Sequence, residues 1–170
     1  MPRHKLASAA LVALGGLVWA PGAGAAGVAE RAGASLAGEI GFLVGNDGFT
    51  ELATGFRAGY TFPFHMYLGG DLTFYVAGNA GTVVSLSPEV GYDIGVGPRF
   101  VIRPYGGLGF IDLPNGRQNN VAVEFYPGCE FLYHVAGGFF LGGDARVPLL
   151  FIQGGTVAGL NLMFTMGYKF

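Results

Sequence analysis

Glu130 and Asp144 flank the Gly137-Gly138 pair, so a tight turn there brings two carboxyl groups opposite each other. Close carboxylates share protons and do general acid–base work. Arg103 and Arg146 fall beside them in the same reading. Arginines turn such a pair into a fixed ion network, and the residue types favour that network over an active site. His134 is the other candidate. A catalytic histidine needs a nucleophile and an orienting group, and the serines beyond the leader, Ser35, Ser85 and Ser87, lie near it neither in sequence nor in expected register. Cys129 is the single cysteine, so neither an intrachain disulfide nor a cysteine metal site is expected. His65 and His134 stand apart, and the carboxylates are interleaved with arginines, so no metal is expected. Gly107-Leu108-Gly109 alternates along a strand and opens no helix, which removes the nucleotide-binding reading. No cofactor follows from these residues.

Positioning them falls to short strands. Gly45-Asn46-Asp47-Gly48, Pro63, Asn79-Ala80-Gly81, Gly97-Pro98, Pro114-Asn115-Gly116, Gly137-Gly138 and Gly154-Gly155 mark seven breaks. They delimit eight expected strands at 34–44, 49–62, 65–78, 82–96, 99–112, 120–135, 139–152 and 156–170. Membrane-crossing strands need about 9–11 residues, and each segment reaches that length.

The strands alternate. Met66, Leu68, Leu72, Phe74 and Val76 are set against His65, Tyr67, Asp71, Thr73 and Tyr75; Leu160, Leu162, Phe164, Met166, Tyr168 and Phe170 are set against Asn161, Thr165 and Lys169. Thirteen charged residues fall within the strands: Glu39, Glu51, Arg57, Asp71, Glu89, Asp93, Arg99, Arg103, Glu124, Glu130, Asp144, Arg146 and Lys169. All take the polar parity, and Asp112 at a strand end is the exception. Successive side chains point to opposite faces, so one face is free of charge. A soluble ligand-binding barrel would turn that face inward. Its continuous bulk and the sparse charge of the other face favour the reverse, an apolar band turned toward lipid.

Composition agrees. Charged residues are 12% of the 170-residue chain, against about 25% in soluble domains. No segment after the first approaches the ~18 continuous apolar residues of a membrane helix. Residues 1–25 read as a cleaved secretory leader: Arg3 and Lys5, an apolar run over 6–20, then small residues before the cut. Residues 26–33 form a short segment and 34–170 the barrel. Without Arg3 and Lys5, seven basic side chains face eleven acidic ones, which excludes nucleic acid as a partner.

The last strand, with Leu162, Phe164, Met166, Tyr168 and Phe170 at alternate positions, resembles the closing strand of bacterial outer-membrane barrels. With the strand count, the chain resembles the OmpA transmembrane domain and the OmpX type of small barrel. That resemblance implies an all-β, eight-stranded antiparallel up-and-down transmembrane β-barrel after a cleaved signal peptide. It also implies residence in the outer membrane, outer-membrane lipids as partners, and handling of Phe164, Met166, Tyr168 and Phe170 by the barrel-assembly machinery. The loops on the outer side are short, which weakens adhesion as an implied role, and the histidine–serine sites of the lipid A deacylase and palmitoyltransferase families find no match.

An eight-stranded barrel is just wide enough for side chains to fill. The expected lumen network is Glu39, Arg57, Asp71, Glu89, Arg103, Glu130, Asp144 and Arg146. Arg57 is expected near Asp71 and Glu39, Arg103 near Glu89 and Glu130, and Glu130 opposite Asp144 with Arg146 close by. Tyr67, Tyr75, Tyr105 and Tyr126 supply bulk, and interior glycines leave room for it. Pro88, Pro104, Pro127 and Pro148 are expected to disturb the ladder. A structural or interaction barrel with a plugged lumen, and no enzyme, is the first expectation. A narrow channel for water, ions or small polar solutes is the alternative; a lipid-modifying enzyme and a soluble binding barrel rank below.

Overall fold

A computed structural model describes residues 31–45, 48–76, 81–115, 118–152 and 155–170, with backbone alone described for 113–115 and 118–120. The expected leader, 1–25, lies outside them. The described elements are all strands: β1 Gly33–Gly45, β2 Thr50–Thr61, β3 Met66–Val76, β4 Thr82–Tyr92, β5 Ile94–Gly95, β6 Phe100–Asn115, β7 Gln118–Ala136, β8 Phe139–Arg146, β9 Leu149–Ile152 and β10 Gly155–Lys169. All pairings are antiparallel. β1 pairs with β2 and β10, β3 with β2 and β4, and β6 with both β4 and β7. β8 then joins β7 to β10. The circuit of neighbours therefore returns to β1, and the sheet has no free edge along it.

Ten strands replace the eight expected, and prolines explain why. Proline has no N–H for the ladder. The ladder from β6 to β4 and β5 runs Gly91↔Tyr105 and then Ile94↔Ile102, skipping Pro104, and Asp93 stands between the two strands. A second gap separates Leu86↔Phe110 from Glu89↔Gly107, around Pro88. A third separates β8 from β9 at Val147 and Pro148, facing Pro127 of β7. There Val147 donates its N–H to the Pro127 carbonyl at 3.0 Å. The expected loop over 113–119 is largely strand, since the β6–β7 ladder continues to Asn115↔Gln118.

Turn chemistry closes the hairpins at the end where β1 starts. Gly137 and Gly138 carry φ of 58° and 92° between β7 and β8, the left-handed pair that a two-residue hairpin requires. At the β2–β3 turn His65 has φ of 66°, and its N–H reaches the Phe62 carbonyl at 2.9 Å.

Burial follows parity, inverted relative to a water-soluble protein. Leu86, Phe110, Leu108 and Phe56 are about 60% exposed, while Arg57, Asp71, Glu89, Glu130 and Arg146 are 4% exposed or less. Apolar residues also enter the interior. Leu43, Ala53, Tyr75, Ile111, Ala122 and Met163 form a cluster toward the end away from β1's start. Ala37, Val101, Leu132 and Phe140 form a second one nearer that start.

Candidate functional site

The polar parity converges on one enclosed group of charges. Glu39, Asp71, Glu89, Asp93, Glu124, Glu130 and Asp144 are buried with Arg57, Arg103, Arg146 and Lys169. Two residues of the polar parity do not join them. Arg99 is exposed in the bend before β6, and Glu51 is half-buried near the start of β2. Burying charge is costly unless it is paired and hydrogen-bonded, so the pairing decides whether this interior is stable.

Arg57 of β2 is the hub. Its Nη1 lies 3.3 Å from Glu39, 3.2 Å from Glu130 and 3.4 Å from Asp144, and its Nε lies 3.2 Å from Glu89. Nη2 donates to the Tyr105 hydroxyl at 3.1 Å, which itself donates to Asp144 Oδ2 at 2.5 Å. Asp71 stands opposite Arg57 in the β2–β3 register, but its charged partner is Arg146, at 3.0 Å. Thr73 donates to Asp71 at 2.6 Å and accepts from Arg146 at 2.8 Å.

Arg103 holds Asp93 with two nitrogens, Nε at 2.5 Å and Nη2 at 3.1 Å, and donates from Nη1 to Glu130 at 2.8 Å. Such forked contacts are the strongest of the charge-assisted bonds. Glu130 does face Asp144 across the β7–β8 hairpin. The expected Arg103–Glu89 pair is replaced. The register sets Glu89 against Gly107, two residues past Tyr105, and Glu89 instead meets Arg57 and accepts from the Tyr126 hydroxyl at 2.9 Å. Asp93 and Glu124 were not among the expected network. Glu124 accepts a short hydrogen bond from Ser85. Their parity already placed them inside.

Each arginine also rests on an aromatic face. Arg57 lies 4.8 Å from the Tyr105 ring, Arg103 3.9 Å from Tyr67 and Arg146 5.0 Å from Tyr126, all within cation–π range. The rings lie over glycines. A Cβ on Gly107 would sit 2.2 Å from the Tyr126 ring, one on Gly128 2.5 Å from Tyr105, and one on Gly59 2.4 Å from Tyr67. Glycine, tyrosine and arginine thus stack three times across the lumen.

Among the described residues, the candidate acid–base and nucleophilic groups are engaged or set apart. Glu130 and Asp144 are both engaged by Arg57. His134 packs against Phe140, with ring centroids 5.7 Å apart, while Ser85 and Ser87 lie on β4, Ser85 facing Ile111 toward the opposite end. Phe164, Met166, Tyr168 and Phe170 are all exposed on the outer face.

No protein-family model and no curated protein matches the chain. Solved structures do. The crystal structure of Neisserial surface protein A aligns with a TM-score of 0.60 at 14% identity, covering 81% of this chain and 96% of that one. The N-terminal β-barrel domain of Pseudomonas aeruginosa OprF aligns with a TM-score of 0.57 at 14% identity, covering 81% and 100%. The fold is that of the small outer-membrane β-barrels. At this identity the likeness is one of fold. It accords with the outward apolar face, because a closed barrel satisfies its backbone hydrogen bonds within lipid. The exposed tyrosines Tyr60, Tyr92, Tyr133 and Tyr168 gather at the end where β1 starts, opposite Leu68, Met66, Phe100 and Phe139 respectively. Tyrosine belts of this kind mark a membrane–water interface.

Proposed function

We propose that the chain is an outer-membrane β-barrel with a structural or interaction role and a lumen closed by its own side chains. With β4–β5 and β8–β9 each taken as one interrupted strand, it is an eight-stranded transmembrane barrel. The observation that carries the reading is the inverted burial: an exposed apolar band around an interior that holds the paired charges. Exposed positions from Leu52 to Tyr60 on β2 run ~27 Å along the strand at ~3.4 Å per residue. At a tilt of ~40° that is ~20 Å along the axis, near the ~25 Å of an outer-membrane apolar band.

The channel reading rested on interior glycines leaving space. That space is occupied by Tyr67, Tyr105 and Tyr126, and the Leu43–Met163 cluster adds an apolar layer, both of which support closure. A paired carboxylate–arginine interior, with His134 and the β4 serines toward opposite ends of it, favours a non-enzymatic role. In this reading residues 1–25 direct export, the exposed Phe164, Met166, Tyr168 and Phe170 are read by the assembly machinery, and outer-membrane lipids surround the barrel.

Expression with subcellular fractionation tests it. The protein should be found in the outer-membrane fraction, resist extraction by carbonate, and migrate faster on gels before heating than after. A carbonate-soluble protein with heat-independent mobility would contradict the proposal.

A further inference from the structure

Two prolines face the same seam of the wall. Across β3–β4 the Asp93 N–H goes to the His65 carbonyl, and across β6–β7 the His134 N–H goes to the Arg99 carbonyl. Hydrogen-bonding direction alternates along an antiparallel strand, so the even-numbered residues of β4 and β6 turn their main-chain groups toward each other. Val96, donating to the Phe100 carbonyl at 2.8 Å, obeys that rule. The β4–β6 register, carried through its gaps, sets Pro88 against the Leu108 carbonyl and Pro104 against the Tyr92 carbonyl. Neither proline has an N–H to give. Pro127 and Pro148 thin two other seams by one bond each, and their carbonyls still accept from Val147 and Gly159. The β4–β6 seam loses two.

Both sides of the wall answer to that loss. On the outer side a groove of about 360 Å³ lies over the seam, lined by Pro88, Val90, Gly106 and Leu108 and reaching Glu89 and Gly107 of the lumen-facing parity. On the inner side, side chains stand in for the ladder. Asp93, unpaired between β4 and β5, takes two nitrogens of Arg103, at 2.5 and 3.1 Å, directly beside Pro104. The third nitrogen of Arg103 is anchored on Glu130 of β7 at 2.8 Å. Thr61 and Lys169 hold the same Asp93 carboxylate at 3.0 and 3.7 Å.

We infer that β4–β6 is the line along which this barrel opens sideways, and that the Arg103–Asp93 contact is the clasp that holds it shut. Parting between Pro88 and Asp93 joins the outer groove to Glu89 in the lumen. The Leu43–Met163 layer stays across the axis, so the opening gives onto the side of the wall and makes no pore along the barrel.

Hydrogen–deuterium exchange tests this, read amide by amide by NMR on protein refolded in micelles. By the same alternation, Val90, Gly106 and Leu108 donate across β4–β6, and Glu39 and Gly41 donate across β1–β2. The first three should exchange at least about tenfold faster than the last two, the worth of the bonds missing beside them. Asp93→Asn keeps an acceptor for Thr61 but weakens the clasp, and it should speed the β4–β6 amides about tenfold further with Glu39 and Gly41 unchanged. Pro104→Val returns an N–H to the Tyr92 carbonyl and should slow the β4–β6 amides about fivefold. Both seams are compared within one refolded molecule, so the result stands apart from subcellular location. The wild-type and Pro104→Val readings decide the matter even if Asp93→Asn fails to refold. Equal exchange at the two seams in the wild-type protein, a rise spread evenly over both in Asp93→Asn, or no slowing in Pro104→Val would overturn the inference.

Discussion

Arg57 and Asp71 stand directly opposite each other in the β2–β3 register, yet each takes its ion-pair partners from elsewhere. Arg57 reaches Glu89, Glu130 and Asp144, on β4, β7 and β8. Asp71 reaches Arg146 of β8. The pairs therefore span the lumen and tie distant strands together, where a local pair would tie only one hairpin.

Removing the hub should cost more than an ordinary interior substitution. Arg57→Met leaves carboxylates of four strands without their shared cation, and breaking a buried pair costs about 3–5 kcal/mol. Urea unfolding of protein refolded in lipid vesicles, followed by gel mobility, should show that loss. Arg57→Lys should recover only part of it, since an ammonium lacks the fork that serves several carboxylates.

The glycine seats should show up as non-additivity. Gly107→Ala places a methyl 2.2 Å from the Tyr126 ring, and overpacking of this kind costs about 1–3 kcal/mol. In a Tyr126→Ala background the same change should be nearly neutral. A double-mutant cycle on the unfolding midpoint measures the coupling.

Met163 and Met166 offer a paired test of which face is inside. Met163 is 4% exposed within the apolar cluster, and Met166 is 52% exposed. Met163→Ala should lose about 2–5 kcal/mol as a cavity-forming change, whereas Met166→Ala should stay within about 1 kcal/mol. Unfolding midpoints in vesicles give both values.

Lipid on the outer face gives a further prediction. Leu86, 61% exposed at the middle of β4, should tolerate Arg poorly in a bilayer, with a loss of about 2–4 kcal/mol. Leu86→Arg should be milder in detergent micelles, where water lies closer. Comparing unfolding in the two media measures the difference.

Which side chains point inward could be read from alternation, because a period of two survives every proline gap. Glu39, Asp93, Glu124 and Lys169 all fall inside as their parity requires. Hairpin partners were readable too: Arg103 opposite Glu130 and Glu130 opposite Asp144 follow from turn positions. Partners across the lumen were not. Glu89 meets Arg57 and Asp71 meets Arg146 only after the sheet closes, and no local spacing encodes the stagger between strands that closure fixes.

Prolines told where the ladder fails but not how far. Pro88, Pro104 and Pro148 each coincide with a gap, and Pro104 and Pro148 split expected strands in two. Arg99 left the strand because the bend before β6 extends through it. The stacking of tyrosine on glycine was readable as residue types, and the choice of seat, Gly107 for Tyr126 and Gly128 for Tyr105, was fixed by register.

Single-channel recording in a planar bilayer tests the closed lumen most directly, with insertion verified by heat-dependent mobility. The wild-type protein should be silent, and Arg103→Ala, which removes one partner each from Asp93 and Glu130 while leaving the Leu43–Met163 layer in place, should be silent too. Reproducible wild-type current, enlarged by Arg103→Ala, would contradict closure and make the arginine–carboxylate network a gate.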